Sequence, residues 1–198
     1  MLPTREEAER ILVEAEGCNP GPWGNHSRVV AACAERIAAR TAGMDPEKAY
    51  IVGLMHDIGR KFGVKHLGHV YDGYHYMTQL GYDEAARICL THSFSVPDIG
   101  EYIGNMDISR EQQREIEDAL SVVVYDDYDR LIQLCDSLSG TYGAVDMEVR
   151  MGDVKRRYGR YPQKKWDQNM ALKKYFDEKT GTDIYEFLPQ DTPEQSVW

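Results

Sequence analysis

The stretch GLMHDIGR, residues 53–60, ends an apolar run on a histidine beside an aspartate, and Arg60 follows His56 by one helical turn. Imidazole and carboxylate together are ligands for borderline divalent metals. The chain has only six histidines: His26, His56, His66, His69, His75 and His92. Read at helical spacing, His26 shares a face with Val30, Cys33 and Ile37. His56 shares one with Ala49 and Val52, and His69 with Gly73, Tyr76 and Leu80. His92 follows Ala85 and Ile88, and Asp136 follows Ile132 and Asp129. Four histidines and one aspartate therefore fall on, or at the ends of, inward faces of five helices. Burying so many ionisable groups without partners is very costly. A bound cation removes most of that cost, because it keeps carboxylates ionised and takes neutral imidazole as ligand. A single inward histidine is ordinarily a hydrogen-bonded core residue, and the pair His56-Asp57 alone carries little. The inference rests on the set.

The elements that must position these residues read as helices with glycine stops. The first spans about 4–16 and stops at Gly17, and CNPGPWGN is a loop by its Pro and Gly content. A second begins near His26, runs through VVAACAERIAART and has Gly43 after it. Asp45-Pro46 supplies an N-cap and a first-turn proline for a helix that ends at the His56-Asp57 pair, with Gly59 where a left-handed cap would fall. Further helices are expected over 67–80 with Gly81 as stop, after Asp83 as cap, after the capping box of Ser109 and Gln112, over 126–139 ending at Gly140, and over 167–180 and 182–188. The one β-branched run, SVVVY at 121–125, fits buried helix equally well, and the last ten residues read as frayed. The fold class expected is all-α, a single-domain, non-repeating helical bundle. Within it, 1–21 forms an N-terminal helix and loop, 22–140 the metal-binding core, and 141–198 a helical extension packed on the same domain.

Composition narrows the function. The 198 residues suffice for one domain with a sizeable core. A net charge of −10 argues against broad attraction to nucleic acid or an anionic membrane. No window approaches the roughly 18 apolar residues of a membrane span. The acidic, amphipathic start MLPTREEAERILVEAEG lacks the pattern of a signal peptide, so a cytoplasmic protein is expected. Cys18, Cys33, Cys89 and Cys135 show no zinc-knuckle or redox spacing and read as free thiols, mostly buried. VKRRYGRYPQKKW, residues 154–166, holds six Lys or Arg; it reads as a solvated surface segment, with a phosphate-facing patch as the other reading.

The ordered pattern of His26, His56-Asp57 and a late Asp136 in LIQLCDSLSG resembles the HD superfamily of metal-dependent phosphohydrolases, over residues from about 22 to 140. The resemblance implies an all-helical fold in which His26, His56, Asp57 and Asp136 ligate one divalent metal. Members with two metals add two histidines, and Asp57 then bridges. His69 in HVYDGYHYM and His92 in CLTHSF match those positions best, with His66 and His75 as competitors for the place of His69. The glycine four residues after His69 resembles the dinuclear subgroup, which includes bacterial hydrolases of diadenosine tetraphosphate. One or two transition metals are implied, from among Fe, Mn, Co, Ni and Zn with iron favoured. The implied chemistry is hydrolysis of a phosphoester or phosphoanhydride of a small nucleotide-type substrate by metal-activated hydroxide. Asp57 and Arg60 are implied as catalytic, with Arg60, and more weakly Lys61 and Lys65, meeting the phosphoryl charge; the other reading of Arg60 is a cation complementing a helix C-terminus. One rival is a di-iron oxygenase of the same superfamily, which carries a lysine one turn after the fourth histidine, where this chain has Val96. A catalytically inactive nucleotide-binding module is the other, and its mark, a missing ligand, is not seen. A structural zinc site would favour cysteine.

Overall fold

In the computed structural model, which describes residues 1–190, nine α-helices and three short 3-10 segments form the architecture, and no strand forms among the described residues. The helices are α1 (Arg5–Cys18), α2 (Trp23–Ala38), α3 (Pro46–Met55), α4 (Leu67–Gln79), α5 (Asp83–Thr91), α6 (Arg110–Val122), α7 (Asp127–Leu138), α8 (Met147–Tyr158) and α9 (Gln163–Thr180). Of the ten terminal residues expected to fray, 191–198 lie outside the described residues. Among the described residues no helix is long and apolar enough to cross a membrane.

The element starts follow side-chain chemistry. Thr4 and Glu7 form a capping box at α1, Asp45 caps α3 ahead of Pro46, and Ser109 with Gln112 boxes α6. Gly43 and Gly81 take the left-handed conformation expected of stops, at φ 81° and 79°. Other boundaries differ from expectation. Gly17 is helical and α1 ends against Asn19; α2 starts at Trp23, so only four residues separate the two helices. Asp83 lies in the first turn of α5 behind Tyr82, where its charge favours the positive helix end without capping it. Ser139, not Gly140, closes α7. The run SVVVY leaves α6 at Val122 and continues as extended chain, with Val122 and Val124 exposed. The segment 182–188 folds only as the 3-10 turn Ile184–Glu186, and α9 begins at Gln163, directly after Pro162. Helix α8 escaped the pattern reading because its basic residues mask a short apolar face. Asp146 caps it and Gly159, at φ 73°, stops it.

Helix α7 is the hub. Its Leu131, Ile132, Leu134, Cys135 and Leu138 are all buried on one broad apolar face, which neighbouring helices must cover. It packs on α2, α3, α5, α8 and α9. One core runs from Val30 and Ile37 of α2 through α7 to Met151 of α8, Phe176 of α9 and Leu188. A second joins α1 and α3 to Ile58 and Met77, and a third seats Phe94, Tyr102 and Ile116 beside α4. Each such side chain contributes about 1.5–3 kcal/mol by leaving water.

Two polar devices fix the helices that matter most. Asp129 of α7, fully buried, accepts from Thr91 Oγ1 at 2.8 Å and pairs with Arg87 of α5. Gln133 Nε2 donates to the Thr91 and Phe94 carbonyls at 3.1 and 3.2 Å. The C-terminal end of α5, which carries His92, is thus tied to the helix that carries Asp136. The second device is contact without side chains. Gly59 does not form the expected left-handed cap. It lies in the 3-10 turn Ile58–Phe62, where a Cβ would stand 1.9 Å from the His69 carbonyl oxygen and 2.5 Å from the Gly73 nitrogen. The turn after Asp57 therefore rests on the backbone of α4.

These contacts predict two measurable losses. Asp129→Ala should cost about 1–3 kcal/mol in urea unfolding, because the buried Thr91 hydroxyl loses its acceptor while Arg87 keeps Asp126 and the Val124 carbonyl. Gly59→Ala should cost more than the roughly 1–3 kcal/mol of ordinary overpacking, since its collision is with backbone. Gly17→Ala, where a Cβ meets nothing within 4 Å, should instead stabilise by about 0.5–1 kcal/mol. Equal effects at the two glycines would refute the close-approach account.

Candidate metal centre

Five helices or helix ends deliver the expected residues to one place. His26 lies in the first turn of α2, His56 is the C-terminal cap of α3 with Asp57 next, and His69 lies in the first turn of α4. His92 caps α5, and Asp136 lies in the last turn of α7. His56, Asp57, His69 and His92 are each at most 4% exposed. Ligand atoms of His26, His56 and Asp57 fall within 4.8 Å of one another, as do those of Asp57, His69 and His92, so Asp57 belongs to both groups. Asp57 Oδ1 is 3.1 Å from His69 Nε2 and 3.6 Å from His92 Nε2, and its Oδ2 is 3.9 Å from His56 Nε2. Asp136 Oδ1 is 3.0 Å from His26 Nε2 and 3.9 Å from His56 Nε2.

The other nitrogen of each ring settles what faces the centre. His56 Nδ1 donates to the Gly53 carbonyl at 2.7 Å, and His92 Nδ1 to the Cys89 carbonyl at 2.9 Å. His69 Nδ1 donates to the His66 carbonyl, and His26 Nδ1 to that of Gly140 at 3.4 Å. A nitrogen facing a carbonyl carries the proton, so each Nε2 turns a lone pair inward. His69 and His92 even place their Nε2 atoms 3.2 Å apart, and His56 Nε2 is buried with no hydrogen-bond partner. Four lone pairs and two carboxylates thus converge with one donor among them, the Arg60 guanidinium on Asp57 Oδ2.

Electrostatics preserves that donor set. Burial pushes the His56 imidazole down and holds His92 at about 3, so both stay neutral. For Asp57, burial opposes ionisation, but the Arg60 guanidinium outweighs it and holds the carboxyl well below its usual range. The Asp136 carboxyl is likewise held below its usual range against the opposing effect of burial. Neutral imidazole and ionised carboxylate are the forms that bind a divalent transition metal, so the residues fit one.

The remaining candidates are sorted by position. His75 pairs with Glu115 at 2.9 Å and stacks on Tyr71, away from the cluster. His66 precedes α4 and stacks edge-on against Tyr158 at the cavity wall. Neither joins the cluster, so of the three histidines weighed for that position the structure brings in His69. Lys61 lies over the Tyr76 ring, 3.9 Å from its centroid, and lines no part of the cavity, whereas Lys65 does line it while pairing with Asp72. The cysteines are free, with Cys33, Cys89 and Cys135 buried and Cys18 exposed.

Two cavities of about 330 and 440 Å³ open onto the cluster and share Arg60, His69, His92 and Asp136. Their walls also hold residues that the sequence reading did not assign to the site: Arg150, Arg157, Lys165 and Tyr102. The segment 154–166 is therefore not simply solvated surface. Lys155, Arg156 and Arg157 are exposed, yet Arg157 and the half-buried Lys165 line the cavity. Lys165 Nζ donates to the Ser93 carbonyl at 2.6 Å, and burial pulls its ammonium down to about 8. Helical phase across 154–166 would have separated Lys155 from Arg157, but nothing in the chain marks Lys165, which reaches the site only through the packing of α9.

No curated protein and no solved structure matches the chain. A family model described as the HD domain matches residues 23–141, which span α2 to α7 and contain every member of the cluster. With more than half of its length in that match, and the histidine and aspartate residues gathered where a metal fits, the chain belongs to the HD domain family of metal-dependent hydrolases.

Proposed function

We propose that the protein hydrolyses a phosphoester or phosphoanhydride bond of a nucleotide-type substrate, with a dinuclear metal centre. The observation that carries this reading is the inward turn of four imidazole lone pairs onto two carboxylates at the floor of an open cavity. His26, His56, Asp57 and Asp136 would hold one metal; Asp57, His69 and His92 would hold a second, with Asp57 shared. Iron is favoured, with Mn, Co, Ni and Zn also suited to the donor set. Such a metal supplies a Lewis acid for the phosphoryl oxygen and a water whose pKa falls toward about 7.

The chain's own residues do the rest. Arg60 is oriented by its Nε contact with Asp57, and its terminal nitrogens make no hydrogen bond among the described residues. They are available to bind the phosphoryl oxygens in the forked geometry suited to that group. Asp57 thereby links the metal to the cation that positions the substrate. Tyr102, Tyr158 and Tyr161 line the same cavity, and aromatic faces of this kind suit a nucleobase.

A second reading has one observation in its favour. Val96 stands where the family's di-iron oxygenases carry a lysine, yet Lys165 reaches the residue next to His92 from another helix. Loading the protein anaerobically with iron, and then measuring both phosphate release from a nucleotide panel and dioxygen uptake, separates the two. Phosphate release without dioxygen uptake is expected; substrate-dependent uptake without release would replace the hydrolase with the oxygenase.

Metal content supplies the direct test. Elemental analysis of the loaded protein should give about two metal ions per chain. His92→Ala should reduce this to about one. His56→Ala and Asp57→Ala should each abolish tight binding and lower turnover by more than about 100-fold, since removing even a hydrogen-bond partner of a ligand costs about 10–100-fold. Full metal and full turnover in Asp57→Ala would disprove the centre.

A further inference from the structure

The cavity wall opposes the charge of the chain as a whole. The net charge is −10, yet Arg150, Arg157 and Lys165 all line the cavity that contains His69, His92 and Asp136. Among the described residues, none of the three lies within 4.0 Å of a carboxylate. Their polar contacts are to backbone: Arg150 Nε donates to the Asp136 carbonyl at 3.3 Å and Lys165 Nζ to that of Ser93 at 2.6 Å, while Arg157 makes none. Lys65, by contrast, lines the same cavity with its charge already matched by Asp72. Arg150 and Arg157 line the second cavity as well, so they stand where both open onto the cluster. Arg150 and Lys165 are half-buried and Arg157 is exposed; a half-buried cation without a counter-ion is costly unless an anion joins it.

The acidic groups acting on this wall do not meet that need. Asp136 acts on Arg150 and Lys165, Asp57 also acts on Arg150, and Glu101 acts on Lys165. Once Asp136 serves a metal, its charge is largely spent there. The reacting phosphoryl group is already provided for by the metal centre and Arg60. Three further cations exceed what one phosphate requires. They also come from α8 and α9, which lie wholly beyond residues 23–141, so the helical extension supplies them and the matched family core does not.

Resting on the phosphohydrolase reading, we propose that Arg150, Arg157 and Lys165 form an anion subsite for a second phosphoryl group. The substrate then carries at least two phosphoryl groups, one at the metal centre beside Arg60 and one against α8 and α9. The extension acts as a substrate-reading wall.

The test is binding, measured by calorimetry on the metal-loaded full chain with adenosine monophosphate and adenosine diphosphate as probes, with metal content determined after each titration. The diphosphate should bind at least about tenfold more tightly, the factor given by about 1.4 kcal/mol of charge-assisted contact. Lys165→Met and Arg150→Gln should bring the two ligands within about twofold of each other, with monophosphate affinity and metal content unchanged. Arg157→Gln, at an exposed position that does not bear on folding, should lower the preference in the same direction. Equal affinity for both ligands in the unaltered protein overturns the subsite, and so does an equal loss of both in Arg157→Gln. A diphosphate preference that disappears in the variants while no metal is found upholds the subsite and overturns the metal centre.

Discussion

Six side chains of matching polarity face one another in the interior, and the rest of the molecule is arranged around that conflict. Lone pairs of four imidazoles and the oxygens of two carboxylates meet with Arg60 as the one side-chain cation on them among the described residues. In a low-dielectric interior such an arrangement is unstable by itself, and removing one member does not relieve the others. A divalent cation turns the repulsion into coordination. Folding and metal binding are thereby linked: the free energy of holding the cluster together is repaid at the moment of loading.

The scaffold tolerates this because the ligands come from elements secured by other means. The apolar seams of α7 hold α2, α3 and α5 at fixed spacing. The buried Asp129 and Gln133 lock the end of α5 to α7, so His92 and Asp136 keep their separation. Gly59 lets the turn behind Asp57 touch the α4 backbone, which sets Asp57 against His69. Each device acts a few residues from a ligand and leaves the ligand itself free.

Much of the centre was legible in the sequence because helical phase is a local property. His26 beside Val30 and Cys33, or His92 beside Ala85 and Ile88, points inward for the same reason as its neighbours do. The family pattern then put in order the residues that the structure gathers. What escaped the reading depends on contacts between distant segments. Gly59 looks like a helix stop until α4 is placed against it, and it proves to be a point of backbone contact. Lys165 looks like one more charge in a basic run until α9 docks on α7. Helix α8 was missed because its charged residues outnumber Met147 and Met151, the two that it buries. His69 is preferred to His66 and His75 on helical phase and family resemblance, and tertiary packing leaves the other two outside the cluster.

The hydrogen bonds from each Nδ1 to a carbonyl of its own or a neighbouring segment have a consequence for which metal the protein carries. The rings are held by backbone, not by the ion, so exchange of one metal for another requires little rearrangement. A preorganised site of mixed nitrogen and oxygen donors discriminates weakly among first-row ions, whose intrinsic affinities follow a fixed order. An ion held there would record the metal supply of its surroundings as much as any preference of the fold. Growth medium and purification buffer become variables of the chemistry, and two honest preparations of the same chain can differ in rate without differing in structure.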